Sequence, residues 1–459
     1  MSPTLKSPIE VVILAAGKGT RMYSDIPKVL HRIGGKPMLQ HVVDCANTLD
    51  AKGVHLVVGF EGQKIRDAFP SPAIHWANQD QQLGTGHAVM QAMPAISDES
   101  IVLVLYGDVP LIRSQTLADL IVKTEGGALA VLTVISPDPT GLGRIMRDAN
   151  GKPVAIIEEK DANPEQKKIK ETNSGILAGS ARKLRHWIGR LQTNNAQGEY
   201  YLTDVIAMAV AEGSEVTTVT VKDPLEVLGV NNRLQLSQLE RHYQARKAQE
   251  LLLSGVTLAD PARIDVRGEL SCERDVEIDV NVIFEGRVTL GNRVKIGPNV
   301  VIRNCRIGDD SVVLANSHLE DVLVADKCAI GPFARLRPGT VLNSGSKIGN
   351  FVETKKSKIG AGSKINHLSY IGDATIGKDV NIGAGTITCN YDGVNKFETH
   401  IDDGVFIGSN TALVAPVKLG ENVTIGAGST ITGDVPKENL GVARGRQRNI
   451  EGWKRPTKK

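Results

Sequence analysis

Aromatic side chains are scarce in this sequence. Phenylalanine, tryptophan and tyrosine together make up 4% of its 459 residues, although 41% of the residues are hydrophobic. Any core must therefore be built mainly from aliphatic side chains. Single cores stop growing at roughly 250–300 residues, so a chain of this length is expected to form more than one domain.

Several other features are missing, and each absence excludes a class of protein. The five cysteines lie far apart without a CxxC motif, which indicates free thiols in a reducing compartment. No apolar run approaches the ~20 residues of a membrane span, and the first ten residues show no signal-peptide core. The net charge of +3 argues against nucleic acid or a membrane as the main partner. We therefore expect a cytoplasmic protein.

A large aliphatic residue returns at every sixth position late in the chain. The series is Ile401, Ile407, Leu413, Leu419, Ile425 and Ile431. A second small or apolar residue follows each of them four positions later, which places two inward side chains on one very short strand. The residue directly after a large aliphatic of the series is often glycine, as in Ile407-Gly408. Glycine lets the backbone turn a corner there.

The same spacing begins with Val266 and Cys272, with Leu270 as the second inward residue. It continues with occasional five-residue steps, the first of them from Ile302 to Ile307. Such long self-similarity predicts a stacked β-solenoid of hexapeptide repeats. One interruption, between Thr388 and Ile401, is seven residues longer than a hexad and is expected to protrude as a loop.

The first half of the chain has a different pattern. Residues 9–14 form an apolar strand that runs into a glycine-rich turn, and further strand and helix candidates alternate after it. This alternation predicts an α/β doubly wound, Rossmann-like domain, whose ligands bind beyond the carboxyl ends of the strands. The glycine-rich turn and Asp108 both lie at such ends, where backbone N–H groups can face phosphate oxygens.

The turn itself fits neither common nucleotide motif. Gly17 and Gly19 match the first two glycines of GxGxxG, but Met22 occupies the third position, and the P-loop spacing is absent. Residues 14–22 instead read LxxGxGTRM and are followed by Pro27-Lys28. This long pattern resembles the signature of the sugar-nucleotide pyrophosphorylases.

Between the halves, residues 232–253 show the spacing of a single helix. Leu236, Leu239, Tyr243 and Leu251 share one face. We interpret this helix as a strut, and a short coiled coil is the alternative. The predicted domains are therefore residues 1–231, a linker helix at 232–254, and a solenoid with a tail at 255–459.

The solenoid resembles the left-handed parallel β-helix acyltransferases of the hexapeptide-repeat family, which implies the left-handed winding and a homotrimer. Taken together, the two halves resemble the bifunctional N-acetylglucosamine-1-phosphate uridyltransferases and glucosamine-1-phosphate acetyltransferases. This resemblance implies UTP, acetyl-CoA and the two sugar phosphates as substrates. It also implies Mg²⁺, held by Asp108 and Asn231.

The resemblance further implies the residues of the first site. Arg21 and Lys28 would act on the phosphates. The nucleotide and sugar would be held by Leu14, Ala15, Ala16, Gly17, Lys28, Gln79, Gly84, Thr85, Tyr106, Gly107, Asp108, Gly143, Glu158, Asn173 and Asn231.

Acetyl transfer to an amine needs a base, and histidine is the usual one at neutral pH. The solenoid offers His318, His367 and His400, of which His367 is expected to face outward at a corner. The segment Asn366 to Tyr370 matches the catalytic segment of the family, which implies His367 as the catalytic residue. The resemblance places the sugar phosphate on Arg337, Lys355, Tyr370 and Asn381, and acetyl-CoA on Ala384, Asn390, Tyr391, Ser409, Ala427 and Arg444.

Two other interpretations of the solenoid stay open at this point. It could serve only to oligomerise a monofunctional pyrophosphorylase, or it could be a metal hydratase with three converging histidines. The tail has two interpretations as well, because its basic residues could be merely solvated or could bind the phosphates of coenzyme A. These residues are Arg444, Arg446, Arg448, Lys454, Arg455, Lys458 and Lys459.

Overall fold

The computed structural model describes residues 7–458, which form two compact units divided between Tyr243 and Gln244. Residues 1–6, where no signal peptide is expected, and Lys459 of the basic tail lie outside the described residues. Within residues 7–458, no helix is long and apolar enough to cross a bilayer.

The first unit is built on a nine-stranded mixed sheet with helices on both faces. Its strands are β1 Ile9–Ala15, β2 Arg32–Ile33, β3 Lys36–Pro37, β4 Gly53–Val58, β5 Ile74–Asn78, β6 Ile101–Tyr106, β7 Leu129–Ile135, β8 Arg144–Arg147, β9 Pro153–Ile157, β10 Glu171–Ser180 and β11 Val216–Val221. Its helices are α1 Met38–Asn47, α2 Gly62–Ala68, α3 Thr85–Ala92, α4 Ser114–Val122, α5 Ala181–Ile188 and α6 Asp204–Ala211.

The order along the sheet is β11-β7-β10-β6-β1-β4-β5, and β2 and β3 form a separate hairpin. β1 runs parallel to β4 and β6, whereas β10 runs antiparallel to β6 and β7. Successive residues of β1 face opposite sides of the sheet, as the two-residue period of a strand requires. Val11 and Ile13 therefore pack with α1 and α4, while Val12 and Leu14 pack with α3, α5 and α6. This double covering confirms the predicted doubly wound fold.

The second unit is a parallel β-helix. Its strands are β12 Thr257–Leu258, β13 Ile264–Cys272, β14 Glu277–Ile278, β15 Val282–Leu290, β16 Lys295–Ile296, β17 Val301–Arg303, β18 Arg306–Ile307, β19 Val312–Val313, β20 His318–Glu320, β21 Leu323–Val324, β22 Ala329–Ile330, β23 Arg335–Leu336, β24 Val341–Leu342, β25 Lys347–Asn350, β26 Glu353–Ile359, β27 Lys364–His367, β28 Tyr370–Ile376, β29 Asn381–Ile382, β30 Ile387–Cys389, β31 Thr399–Ile401, β32 Phe406–Ile407, β33 Ala412–Val414, β34 Val417–Leu419, β35 Thr424–Ile425, β36 Thr430–Ile431 and β37 Leu440–Gly441.

Strand register explains both the hexads and the five-residue steps. Ile278 pairs with Ile296, 18 residues on, so one coil contains three hexads. Ile296 pairs with Val313, 17 residues on, because that coil contains the step from Ile302 to Ile307. The predicted aliphatic positions lie in one continuous buried core, which confirms the solenoid.

The first coil is less enclosed than the sequence pattern predicts. Leu270 and Cys272, expected to point inward, are only partly buried and pack against the core from its edge. Their strand, β13, pairs with β15, whereas the coils further along have neighbours above and below. A terminal repeat of a solenoid has a neighbour on one side only, so its inward side chains remain more accessible.

Helix α7, Arg233–Leu253, begins one residue later than predicted. In the first unit, its Leu239 is buried, and Leu236 and Tyr243 pack beside it. In the second unit, Ala248 is buried and Leu251 packs against the β-helix core. The division between the units falls inside this helix, so the three-part domain division stays a prediction.

The solenoid core provides a direct stability test. Leu342 is 1% exposed inside the coil, whereas Leu323, on the strand that pairs with it, is 56% exposed. We expect Leu342→Ala to lower the free energy of unfolding of the β-helix by about 2–5 kcal/mol, because it leaves a cavity. Leu323→Ala should change it by about 0.5 kcal/mol or less. Denaturant unfolding of both variants measures this, and equal effects would contradict the inward assignment.

Candidate active sites

A cavity of about 310 Å³ lies at the carboxyl ends of β1, β5 and β6 in the first unit. Ten residues implied by the resemblance line it: Leu14, Ala15, Ala16, Gly17, Lys28, Gln79, Gly84, Thr85, Tyr106 and Asp108. Four further lining residues were not singled out from the sequence: Val29, Gln82, Ala88 and Glu199. The position agrees with the rule that open α/β sheets bind ligands beyond their carboxyl strand ends.

The two glycines of the turn have different roles. A Cβ on Gly17 would meet no atom within 4 Å, so the backbone there is open to the close approach of a ligand. Gly19 has φ +60°, and its Cβ would lie 2.6 Å from the Cβ of Lys28. Only glycine fits that position without displacing Lys28, so Gly19 shapes the turn and Gly17 leaves it accessible.

Two glutamine side chains form hydrogen bonds in the part of the cavity wall that precedes helix α3. Gln79 Nε2 donates to the Gly84 carbonyl at 3.0 Å, and Gln82 Nε2 donates to the Ala16 carbonyl at 2.6 Å. Gln82 thus joins the segment before α3 to the glycine-rich turn. The sequence alone did not show this contact, because it joins residues 66 positions apart.

Charged and amide groups converge at one end of the cavity. Lys28 Nζ lies 2.5 Å from Asp108 Oδ2 and 3.5 Å from Asn231 Oδ1. Arg21 Nη2 donates to the same Asn231 oxygen at 2.9 Å. The backbone N–H of Val230 donates to the Asp108 carbonyl at 3.0 Å, which brings the loop carrying Asn231 to the end of β6.

The donor set here fits Mg²⁺. The ion prefers oxygen ligands and commonly takes one or two carboxylates together with water and substrate phosphates. Asp108 and Asn231 present one carboxylate and one amide oxygen toward the same Lys28 ammonium. Within residues 7–458, no group of three or more His, Cys, Asp or Glu side chains could form a fuller metal cage.

The remaining residues implied for the sugar gather beside Tyr106. Asn173 N donates to the Gly143 carbonyl at 2.8 Å, and a Cβ on Gly143 would lie 3.3 Å from the Glu158 carboxylate. Burial raises the pKa of Glu158, and a hydrogen bond from the Thr203 hydroxyl opposes this shift. Burial also raises the pKa of Tyr106, and the nearby Glu158 carboxylate raises it further.

In the β-helix, His367 is exposed at the end of β27, next to Asn350 of the coil before. Its imidazole has no hydrogen-bond partner within the described part of the chain, although its carbonyl accepts from the Ser369 hydroxyl at 2.8 Å. The other two histidines lie near charged neighbours. His318 Nδ1 is 3.5 Å from an Arg335 nitrogen, and His400 Nε2 is 3.3 Å from a Glu398 oxygen.

A cationic surface occupies adjacent coils of the same unit. Arg337 Nη1 donates to Glu353 Oε1 at 2.8 Å, and Glu353 pairs in register with Tyr370. The neighbouring Lys396 ammonium lowers the pKa of Lys355. Lys396 belongs to the long interruption of the hexads, and the sequence predicted the loop but not this lysine's position. Like charges held together in this way favour an anion between them.

Asn381 lies on a different sheet of the β-helix from Tyr370. It pairs with Lys364 on β27, the strand that ends at His367. Asn381 is therefore in register with a residue three positions before His367, whereas Tyr370 is in register with Glu353, the partner of Arg337.

Four of the six residues implied for acetyl-CoA form a column across successive coils. The Ala384 carbonyl accepts from Asn410 N at 2.7 Å, and the Ser409 carbonyl accepts from Gly428 N at 2.8 Å. The Ala427 carbonyl accepts from Arg444 Nη1 at 2.7 Å.

The other two acetyl-CoA residues lie at the loop. Asn390 is buried and its amide donates to Asp373 Oδ2 at 2.5 Å, whereas Tyr391 is exposed. The exposure of Tyr391 and Val394 fits the prediction that the interruption protrudes.

Both halves of the chain match models of known protein families. Residues 11–255 match the MobA-like NTP transferase domain, residues 266–347 match the GMPPB C-terminal domain, and residues 398–433 match the bacterial transferase hexapeptide repeats. A solved structure from Bacillus anthracis, described as a glucose-1-phosphate thymidylyltransferase, is similar with a TM-score of 0.42 and 19% identity. The aligned region covers 50% of this chain and 94% of that chain.

Two curated relatives match almost the whole chain. The bifunctional protein GlmU of Marinobacter nauticus is 58% identical over 452 residues, which cover 98% of this chain and 100% of that protein. The bifunctional protein GlmU of Pseudomonas putida is 56% identical over 450 residues, which cover 98% of this chain and 99% of that protein. Identity at this level over the full length of both proteins shows that the chain belongs to the family of bifunctional GlmU proteins.

Proposed function

We propose that this chain makes UDP-N-acetylglucosamine by two consecutive transfers. The second unit transfers an acetyl group from acetyl-CoA to glucosamine 1-phosphate. The first unit then transfers a uridylyl group from UTP to the acetylated sugar phosphate and releases pyrophosphate. The observation that carries the proposal is that the residues implied for each reaction cluster within one unit, the first around the cavity and the second on the β-helix.

In the first unit, a sugar 1-phosphate oxygen attacks the α-phosphate of UTP. A phosphate monoester has its second pKa near 6, so it is already largely ionised at pH 7 and needs no general base. The requirement is positive charge and in-line positioning. Lys28 and Arg21 supply cationic groups beside Asp108 and Asn231. Mg²⁺ held by Asp108 and Asn231 would add positive charge beside the phosphates.

The other residues of this unit position the two substrates. Gly17 leaves the backbone of the turn open to phosphate, while Gln79, Gly84 and Thr85 form the wall proposed to bind the uracil. We assign the sugar to the group beside Tyr106, composed of Gly107, Gly143, Glu158 and Asn173. The carboxylate of Glu158 can accept from a sugar hydroxyl as it does from Thr203.

In the second unit, the amine of glucosamine 1-phosphate attacks the thioester carbonyl of acetyl-CoA. The new C–N bond forms, the C–S bond breaks, the thiolate of coenzyme A leaves, and the amine loses one proton. His367 accepts this proton, since its imidazole is exposed to solvent at the end of β27. Arg337 and Lys355, together with Lys396, hold the phosphate, whose negative charge relieves the repulsion between the two lysines.

We also propose a homotrimer in the cytoplasm. Two observations support an interface between copies of the β-helix: the protruding loop exposes Tyr391 and Val394, and Phe333 and Phe351 stack in the open with ring centroids 5.3 Å apart. Exposed aromatic pairs of this kind are enriched where proteins associate. A trimer would complete the acetyl-transfer site by bringing the loop of one copy to the column of another.

The proposed function is tested by omitting substrates one at a time. Purified protein is incubated with glucosamine 1-phosphate, acetyl-CoA, UTP and Mg²⁺. We expect UDP-N-acetylglucosamine only when all four are present. Omitting UTP should leave N-acetylglucosamine 1-phosphate, and omitting acetyl-CoA should leave the amine unmodified. If the UDP-sugar forms only from sugar that was acetylated beforehand, the β-helix has no acetyltransferase activity and serves only to oligomerise the protein.

A further inference from the structure

A buried arginine lies among the residues proposed to bind the sugar, and no step above assigns it a role. Arg144 begins β8 and is 1% exposed. Its Nη1 donates to the Leu142 carbonyl, and its Nη2 donates to Glu159 Oε2 at 2.5 Å and to the Lys167 carbonyl at 3.4 Å. The guanidinium thus ties the segment after β9 back to the start of β8.

The position of Arg144 in the sheet is central to the sugar group. Gly143 precedes it directly in the chain. On one side Arg144 pairs in register with Ile157, the residue before Glu158. On the other side it pairs with Thr172, the residue before Asn173. Three of the four proposed sugar residues, Gly143, Glu158 and Asn173, are therefore one position away from Arg144 or from one of its strand partners.

Stability alone is a weak reason for a charge at this place. Burying a guanidinium removes its hydration, and its ion-pair partner Glu159 is still 26% exposed, so the pair is weak evidence for a stabilising role. The Nε of Arg144 is buried and has no hydrogen-bond partner among residues 7–458. An unsatisfied buried donor costs about 1–3 kcal/mol. Because burying Arg144 costs free energy, we explain its presence by the local geometry that its hydrogen bonds to Leu142, Glu159 and Lys167 maintain.

We propose that Arg144 is a positioning residue that holds Gly143, Glu158 and Asn173 in the arrangement that binds the N-acetylglucosamine moiety. It acts through the strand pairing and through its hydrogen bonds to Glu159 and Lys167, whereas the nucleotide wall is held by a separate hydrogen bond from Gln79 to Gly84. This inference rests on the proposed uridylyl transfer of the first unit.

The chain offers a matched control on the same strand. Arg147 ends β8, and its Nη2 lies 2.6 Å from Glu171 Oε1, yet its side chain is 31% exposed. We compare Arg144→Lys and Arg144→Met with Arg147→Lys and Arg147→Met. The variant Glu159→Gln removes the charge that Arg144 grips while leaving the arginine in place.

The KM values for the two substrates of uridylyl transfer are measured separately. We expect the Arg144 variants to raise the KM for N-acetylglucosamine 1-phosphate by about 10- to 100-fold, because misplacements of about 1 Å can cost 10²-fold. The KM for UTP should stay within about twofold of wild type. Glu159→Gln should raise the sugar KM by about tenfold, the effect of losing a charged hydrogen-bond partner. Both Arg147 variants should behave as wild type.

A thermal melt, measured on the same samples, reports whether each variant is folded. A parallel rise in the KM for UTP, an unchanged sugar KM, or the same effect in the Arg147 variants would overturn the positioning role. If Arg144→Met does not fold, Arg144→Lys and Glu159→Gln decide the question. A wild-type protein without uridylyl transfer would instead contradict the proposed function, so the two failures are distinguishable.

Discussion

We expect the replacement of Asp108 by alanine to lower uridylyl transfer by about 10³-fold or more and to leave acetyl transfer at the wild-type rate. The carboxylate lies 2.5 Å from Lys28 Nζ and supplies the charged oxygen proposed to hold Mg²⁺. Its loss leaves Lys28 without its ion-pair partner and leaves only the Asn231 amide oxygen for the metal. A preorganised charged group at the reacting phosphates is commonly worth this much in rate.

Pyrophosphate release from UTP and N-acetylglucosamine 1-phosphate measures the first activity of Asp108→Ala. Thiol release from acetyl-CoA and glucosamine 1-phosphate measures the second. Asp119→Ala is the control, since Asp119 is exposed on α4, where it accepts a hydrogen bond from the exposed side chain of Gln115. A loss of both activities in Asp108→Ala would argue against separate sites.

Replacing His367 by alanine is expected to slow acetyl transfer by about 10²- to 10⁴-fold, the usual contribution of a general base. The imidazole is exposed at a corner of the β-helix, and no other side chain among residues 7–458 forms a hydrogen bond with it. Without it, the proton released by the attacking amine must pass to water. Uridylyl transfer should remain unchanged, because His367 belongs to the second unit.

His400→Ala is the matched control for this experiment. His400 is also exposed on the β-helix, but it lies beside Glu398. Thiol release under saturating substrates should be the same in His400→Ala as in wild type. An effect below tenfold in His367→Ala, or an equal loss in His400→Ala, would remove His367 from the role of base.

The β-helix could be predicted from the sequence in unusual detail. Two inward residues per short strand leave little freedom, so the six-residue spacing determines which side chains are buried. Even the shorter coil between Ile296 and Val313 follows from the five-residue step within it. The pattern failed only at Leu270 and Cys272, where burial depends on a neighbouring coil that local spacing does not reveal.

The sites were less completely predicted. Ten of the residues implied by the resemblance line one cavity. They meet there because the strands that precede them end at the same edge of the sheet. It did not identify Gln82, Arg144 or Lys396. Their roles depend on contacts with distant parts of the chain: Gln82 with the glycine-rich turn, Arg144 with Glu159, and Lys396 with Lys355. Local patterns of residues contain no information about such contacts.

Helix α7 shows the same limit. Its apolar face was predicted, but the burial of Gln244 was not. That side chain brackets Val266, accepting from its backbone N–H at 2.7 Å and donating to its carbonyl at 3.0 Å. The burial of a polar side chain can be explained only once its hydrogen-bond partner on the backbone is known.

Mixing the two inactive variants tests most directly whether one chain holds two independent sites. Asp108→Ala and His367→Ala are each supplied with glucosamine 1-phosphate, acetyl-CoA, UTP and Mg²⁺, and UDP-N-acetylglucosamine is measured. We expect each variant alone to produce almost none. Their mixture should restore production, because the acetylated sugar phosphate made by the first can diffuse to the second. A mixture that stays as inactive as either variant, or a single variant that still makes the UDP-sugar at the wild-type rate, would contradict the account.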